Sequence, residues 1–296
     1  MNSLWYTEIL GYGLVFAAGG AGLFHWRLRT QRSLPPVEFK LLRGPGEMTL
    51  RTIRQIDAGL PLTLLCCVLG PLLGGIGLFA AVAALEGTIR IVAAIGACLV
   101  FLAALFLCGR LVVLRLNVRR DFELRYLGER AVAEELEPLL ARGFRLFHNV
   151  AIIGGGDQLN LDHVLVGPTG ITLLTTETRR RHEKKDGPRQ HEVVFDGKQL
   201  VWPWGSDRDC VADVEAQAVC LSRWLAQSTG LKLPVHPTLV LPGWWVDATA
   251  GHSAVDVVNH KQVLNAINAR GETTLLPPQI EQVCHLLEAH CRDVTA

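Results

Sequence analysis

"LDHVLVGPTGITLLTTETRRR" (Leu161–Arg181) reads as two apolar strands around a Gly-Pro-Thr-Gly turn. If Gly167–Gly170 is the turn, Val166 opposes Ile171, Val164 opposes Leu173 and Asp162 opposes Thr175. Side chains alternate along a strand, so Asp162, Thr175, Glu177 and Arg179 are expected on one face. Glu177 is then the diagonal neighbour of Asp162, with Cα atoms about 7–8 Å apart. Two carboxylates at that separation reach a single hard cation, such as Mg²⁺ or Mn²⁺, which one or two carboxylates hold together with water and phosphate oxygens. An aspartate before a strand and charges at its end are equally what a plain surface hairpin carries. The hairpin alone leaves both readings open.

Outward from the hairpin, composition changes the setting. The chain has 296 residues, 49% of them hydrophobic, with a mean hydropathy of +0.27. An average soluble protein is less apolar, so membrane segments are expected. The net charge of +1 carries no nucleic-acid signal. No charged residue occurs from Gly59 to Leu85 or from Ile91 to Cys108. At about 1.5 Å rise per residue, each stretch crosses a hydrocarbon core of about 30 Å. The short link Glu86–Arg90 makes them a transmembrane hairpin. Ile9–Trp26 is a third span, expected to be retained, because Glu8 and no Lys or Arg precedes it. Arg27, Arg29 and Arg32 follow that span, and Arg110, Arg115, Arg119 and Arg120 follow the last one. The positive-inside rule then puts the Arg27–Asp57 loop and everything after Arg110 in the cytoplasm, on a bacterial inner membrane. None of the eight cysteines has zinc-site spacing, so reduced thiols are expected.

From Asp121 onward the pattern is that of a mixed-sheet α/β domain flanked by helices. Gly128–Phe144 is predicted helical, with Val132, Leu136, Leu139 and Leu140 as its apolar stripe and Gly143 as its stop. "RLFHNVAII" predicts a strand, "GGGDQ" a loop, and Asp196-Gly197 the turn of a second hairpin. A helix over Val211–Ser228, a buried strand in Val235–Pro242, a further strand and helix, and a proline-started terminal helix complete the order. Glu129 stands on the apolar stripe of its helix and is expected to face inward. Gln217 lies on the stripe of Val214, Leu221, Trp224 and Leu225 and is expected to face the domain.

"GERAVAEELEPLL", "LDHVLVGPTGITLLTTET", "VEAQAVCLSRWL" and "HPTLVLP", in that order, resemble the nuclease-related domain family NERD, itself similar to the PD-(D/E)xK nucleases. The resemblance covers residues 121–246 and implies a restriction-endonuclease-like fold. With the apolar runs above, this divides the chain into residues 1–58, an N-terminal helix with a basic loop, 59–116, the transmembrane hairpin, 121–246, the resembling domain, and 247–296, its completion. Carried over by position, it implies that Glu129, Asp162, Glu177, Arg179 and Gln217 are catalytic, with Asp162 and Glu177 as ligands of Mg²⁺ or Mn²⁺. The implied reaction is phosphodiester hydrolysis of DNA. One position departs: Arg179 stands where the family has lysine. Arginine holds a phosphate oxygen but does not accept a proton, so an electrostatic role survives the exchange and a proton-transfer role does not. Arg180, Arg181, Lys184 and Lys185 are expected beside a phosphate backbone, or else as a solvated loop. Trp202 and Trp204 stack on bases or form a packing corner, and His163 is read as structural. Three function classes remain: a membrane-anchored nuclease, a silent module binding nucleic acid or protein, and a membrane scaffold.

Overall fold

The structure, a computed structural model, describes residues 13, 18–22, 25, 40–154, 157–180, 191–248, 253–271 and 274–295. The expected first span, Ile9–Trp26, lies mostly outside them. The chain divides into a unit of Leu42–Arg292 and a smaller one of Met1–Leu41 with Asp293–Ala296. Strand β1 (Lys40–Leu42) pairs with the last strand, β11 (Arg292–Thr295), in a separate two-stranded sheet.

The two charge-free stretches are helical, and both helices run far beyond them. Helix α1 spans Glu47–Ala83 and α2 spans Gly87–Leu140. Both are long and apolar enough to cross a membrane, and large apolar side chains such as Leu73, Ile91 and Phe106 are exposed along them. The segment Glu47–Asp57, expected in a loop, is the first part of α1. Its Thr49 and Ile53, one turn apart, are buried. Helix α2 has 54 residues, about 80 Å at 1.5 Å per residue. It runs without a break from the apolar stretch through Glu129 to Leu140, and Pro138 does not end it. Gly143, with φ 84°, turns the chain away from the helix. Val132, Leu136 and Leu139 of the expected stripe are fully buried, whereas Leu140 is exposed.

A five-stranded sheet follows, in the order β10-β8-β4-β3-β2. Its members are β2 (Arg145–Gly154), β3 (Asp157–Gly167), β4 (Gly170–Thr176), β8 (Val235–Val240) and β10 (Asp256–Val258). Strands β2, β3 and β4 are antiparallel, while β4–β8 and β8–β10 are parallel, so the sheet is mixed. The hairpin register is the expected one, with Val166 opposite Ile171 and Val164 opposite Leu173. Strands β2 and β3 pair as far as Gly154 with Asp157, so most of the expected "GGGDQ" loop is strand.

A four-stranded sheet, β7-β6-β5-β9, is made of β5 (Glu192–Phe195), β6 (Leu200–Trp202), β7 (Gly205–Asp207) and β9 (Trp245–Ala248). Its first turn lies one residue later than expected, at Gly197-Lys198, and Asp196 N–H bonds to Gln199 O. The Asp196 carboxylate causes this by accepting the N–H groups of Lys198 and Gln199.

Helices cover both faces of the five-stranded sheet. On one face Leu161, Val164, Ile171 and Leu173 pack on α3 (Asp209–Thr229) and α5 (Pro277–Cys291) through Leu221, Leu225, Val283 and Leu287. On the other, Leu165, Leu174 and Val240 pack on α2 and the short α4 (Val263–Asn268). This is an α/β architecture preceded by long helices, as the sequence predicts.

Candidate functional site

Strand β3 carries Asp162, and its neighbour β2 decides where that carboxylate points. Asn149, in β2, is buried with φ 50°, a left-handed conformation that asparagine tolerates better than most residues. Around it the alternation switches: Phe147 and Val150 belong to one core cluster, as do Leu161 and Val164. Asp162 therefore turns toward α2. Its Oδ1 accepts from Arg125 Nη2 at 2.9 Å, and its Oδ2 accepts the backbone N–H of Thr176 at 2.9 Å. Thr175 faces the opposite side and donates to Gln217 Oε1 on α3 at 3.1 Å. The expected common face of Asp162 and Thr175 is thus corrected: their partners lie on helices that flank opposite sides of the sheet.

Glu129, one turn beyond Arg125 on α2, is fully buried, as its place on the stripe predicts. Its Oε1 accepts from Arg125 Nε at 3.1 Å and from the Thr49 hydroxyl at 2.7 Å. Its Oε2 is buried and has no partner among the described residues. Burial, helped by the charge of Asp162, pushes Glu129 up to about 7, although Thr49 and Arg125 pull it down. Thr49 comes from the first turn of α1, 80 residues away. That turn is seated nearby: Arg43 donates to Asn149 O, Asn149 Nδ2 donates to Gly44 O at 3.2 Å, and a Cβ on Gly46 would lie 2.5 Å from Tyr126.

Glu177 lies past the end of β4, its N–H bonded to Val240 O at 3.0 Å. Its Oε1 accepts from Arg179 Nε at 2.9 Å, and Arg179 Nη2 also donates to Asp207 Oδ2 at 2.7 Å. Burial raises the Glu177 carboxyl, opposed by the charges of Arg179 and then Arg125. Arg125 thus acts electrostatically on Glu129, Asp162 and Glu177 together. Beside Asp207, burial and the charge of Glu177 push the Cys210 thiol up to about 12, so it stays protonated and is no nucleophile. The Arg179 guanidinium also lies 5.6 Å from the Trp202 ring centroid.

The remaining expected residues are placed differently. Arg180 donates to Asn117 O at 2.7 Å and pairs with Asp121, so helix α2 holds it. Arg181, Lys184 and Lys185 lie outside the described residues. His163 is fully buried, its Nδ1 2.8 Å from that of His148. Burial pushes both imidazoles down to about 3, so both are neutral and one ring nitrogen must donate to the other.

All the acidic positions named by the sequence thus fall near two guanidinia, within one stretch of chain. Residues 124–242 match the model of the NERD family, the nuclease-related domain. This stretch is similar to a nuclease-related domain. No curated protein and no solved structure matches the chain significantly. The matched span of the NERD domain begins one residue before Arg125 and contains Glu129, Asp162, Glu177 and Gln217, but not Thr49. Sequence reading missed Arg125, Thr49 and Asp207. Arg125 had a signal, standing four residues before Glu129 on one helix face. Thr49 and Asp207 had none, since only the tertiary fold brings them near.

A NERD domain points to divalent-metal chemistry in general. The residues here fit a cation by charge. Among the described residues, Glu129, Asp162, Glu177 and Asp207 are set against Arg125 and Arg179, and Glu129 Oε2, without a partner there, is a spare acceptor. In this arrangement the guanidinia occupy the carboxylates. Among the described residues no three His, Cys, Asp or Glu side chains are grouped to hold an ion.

Proposed function

We propose that this is a membrane-anchored nuclease whose NERD domain hydrolyses DNA phosphodiesters with a divalent cation, Mg²⁺ or Mn²⁺. The observation that carries this reading is the surplus of carboxylates over guanidinia, with Glu129 Oε2 unpartnered. Asp162 and Glu177 would hold the cation, with Glu129 beside them. Bound there, a divalent cation polarises a phosphate oxygen and acidifies a water. The chain's own residues supply the rest. Arg179, half-buried between Glu177 and Asp207, offers its remaining N–H groups to a phosphate oxygen. It always carries its charge and moves no proton. Gln217 holds Thr175, and the Thr176 N–H holds Asp162. Helices α1 and α2 would anchor the domain in a bacterial inner membrane, and the positive-inside pattern supports a cytoplasmic side for it.

A second reading, a silent module that binds nucleic acid or protein, is favoured by one observation: Arg125 occupies the Asp162 oxygen that a cation would need. The test uses the full chain in detergent, because α2 is continuous and Thr49 lies outside the NERD span. Labelled DNA is incubated with Mg²⁺ or Mn²⁺. Cleavage by the parent, abolished in Glu177→Ala and Asp162→Asn, supports the nuclease. Metal-independent binding with no cleavage supports the silent module. Neither binding nor cleavage leaves a scaffold.

A further inference from the structure

The two oxygens of the buried Glu129 carboxylate are held unequally. Oε1 accepts from Arg125 Nε at 3.1 Å and from the Thr49 hydroxyl at 2.7 Å, while Oε2 has no partner among the described residues. The two donors differ in kind. Arg125 stands one turn away on the same helix and divides its guanidinium between Glu129 and Asp162. Thr49 is buried and uncharged, and it comes from α1. The turn that carries Thr49 is fixed by contacts of its own. The Arg43 N–H donates to Cys291 O at 3.0 Å, the Arg43 guanidinium donates to Asn149 O, and Asn149 Nδ2 donates to Gly44 O at 3.2 Å. Gly46, with φ 73°, lies against the Tyr126 ring, where a Cβ would come within 2.5 Å of Cδ2. The start of α1 is therefore seated on β2, α5 and α2 at once, and Thr49 reaches Glu129 from a fixed backbone.

We propose that Thr49 is a positioning residue of the candidate site: helix α1 supplies, from outside the nuclease-related stretch, the hydroxyl that orients Glu129 toward a divalent cation. The proposal rests on the metal-dependent reading above and deepens it. Arg125 must leave Asp162 Oδ1 before a cation reaches that oxygen, and its bond to Glu129 comes from the same guanidinium. Thr49 brings no charge to compete with a cation. It keeps hold of Oε1 when Arg125 moves, and it leaves Oε2 free to accept. Among the described residues, the matching stretch 124–242 offers Glu129 one side-chain donor, Arg125. The seat of α1 supplies the second. Partners that hold the carboxylates of a metal site commonly matter about 10- to 100-fold in affinity or activity.

The experiment uses the full chain in detergent. Calorimetric titration with Mn²⁺ alone gives the dissociation constant, cleavage of labelled DNA gives kcat and KM, and thermal melts report stability. Thr49→Val, which removes the hydroxyl and keeps the shape, is expected to raise the Mn²⁺ dissociation constant about 10-fold. It should lower kcat similarly and leave KM for DNA unchanged. Thr49→Ser keeps the donor and should restore most of both. Val283→Ala is the control for stability, because Val283 is buried in α5 on the other face of the sheet. It should lower the melting midpoint and bind Mn²⁺ as the parent does. If Thr49→Val melts earlier but binds Mn²⁺ as tightly as the parent, Thr49 is structural only, and the proposal falls while the metal reading stands. Equal losses of Mn²⁺ affinity in Thr49→Val and Val283→Ala overturn it too, as does a Thr49→Ser variant no better than Thr49→Val. A parent that neither binds Mn²⁺ nor cleaves DNA overturns the proposal together with the reading beneath it.

Discussion

Replacing Arg125 by methionine tests whether its guanidinium stands where a cation would act. Arg125 donates to Asp162 at 2.9 Å and to Glu129 at 3.1 Å, and both carboxylates are buried. Breaking a buried pair by removing one partner costs about 3–5 kcal/mol. The Arg125 side chain is 46% exposed, so solvent screens the pair and about 2 kcal/mol is the better figure. For a chain of this size that lowers the melting midpoint by about 4–8 °C without metal. Metal binding should respond in the opposite sense. A cation reaching Asp162 in the parent must first displace a charge-assisted hydrogen bond worth about 1.5 kcal/mol net. The variant is spared that competition, so its Mn²⁺ dissociation constant should fall about 10-fold. Calorimetric titration of the full chain with Mn²⁺, alongside thermal melts with and without the ion, reads both effects. Mn²⁺ should also restore most of the lost melting temperature. A variant that binds Mn²⁺ no more tightly than the parent would refute the idea that Arg125 holds a cation's place.

Three further outcomes are expected. Glu129 has its folded value raised from 4.5 to about 7, so the stability it contributes is full below about 4.5 and lost as pH rises through about 7. Stability of the parent should therefore fall by roughly 1 kcal/mol between pH 6 and 8, and Glu129→Gln should flatten that slope; an unchanged slope would place the titration elsewhere. Thr49→Val, which keeps the shape but removes the donor to Glu129, should cost about 2 kcal/mol at pH 8, and Thr49→Ser about 1 kcal/mol or less, read by the same melts. Gly128→Ala would bring a Cβ within 2.4 Å of Thr178 Cγ2 where α2 packs on the sheet, so a loss of about 1–3 kcal/mol is expected, and a neutral melt would contradict the packing described.

Sequence alone determined whatever depends on local periodicity. The charge-free runs marked the long helices, and strand alternation gave the hairpin register to the residue. The apolar stripes of α2 and α3 placed Glu129 inside and Gln217 against the sheet, where Thr175 meets it. These features repeat every two or every 3.6 residues, so composition and spacing carry them. Only the tertiary structure decided who partners whom. The left-handed Asn149 in β2 switched the alternation and turned Asp162 away from Thr175, toward Arg125. The unbroken α2 made one helix of the expected membrane span and the first helix of the NERD domain, and the seating of α1 brought Thr49 onto Glu129. Contacts between residues 37 and 80 positions apart arise from packing, and no local pattern encodes them. Glu129 and Asp162 were legible because each stands on a periodic element, and their contacts with Arg125 and Thr49 were not, because the fold as a whole makes them.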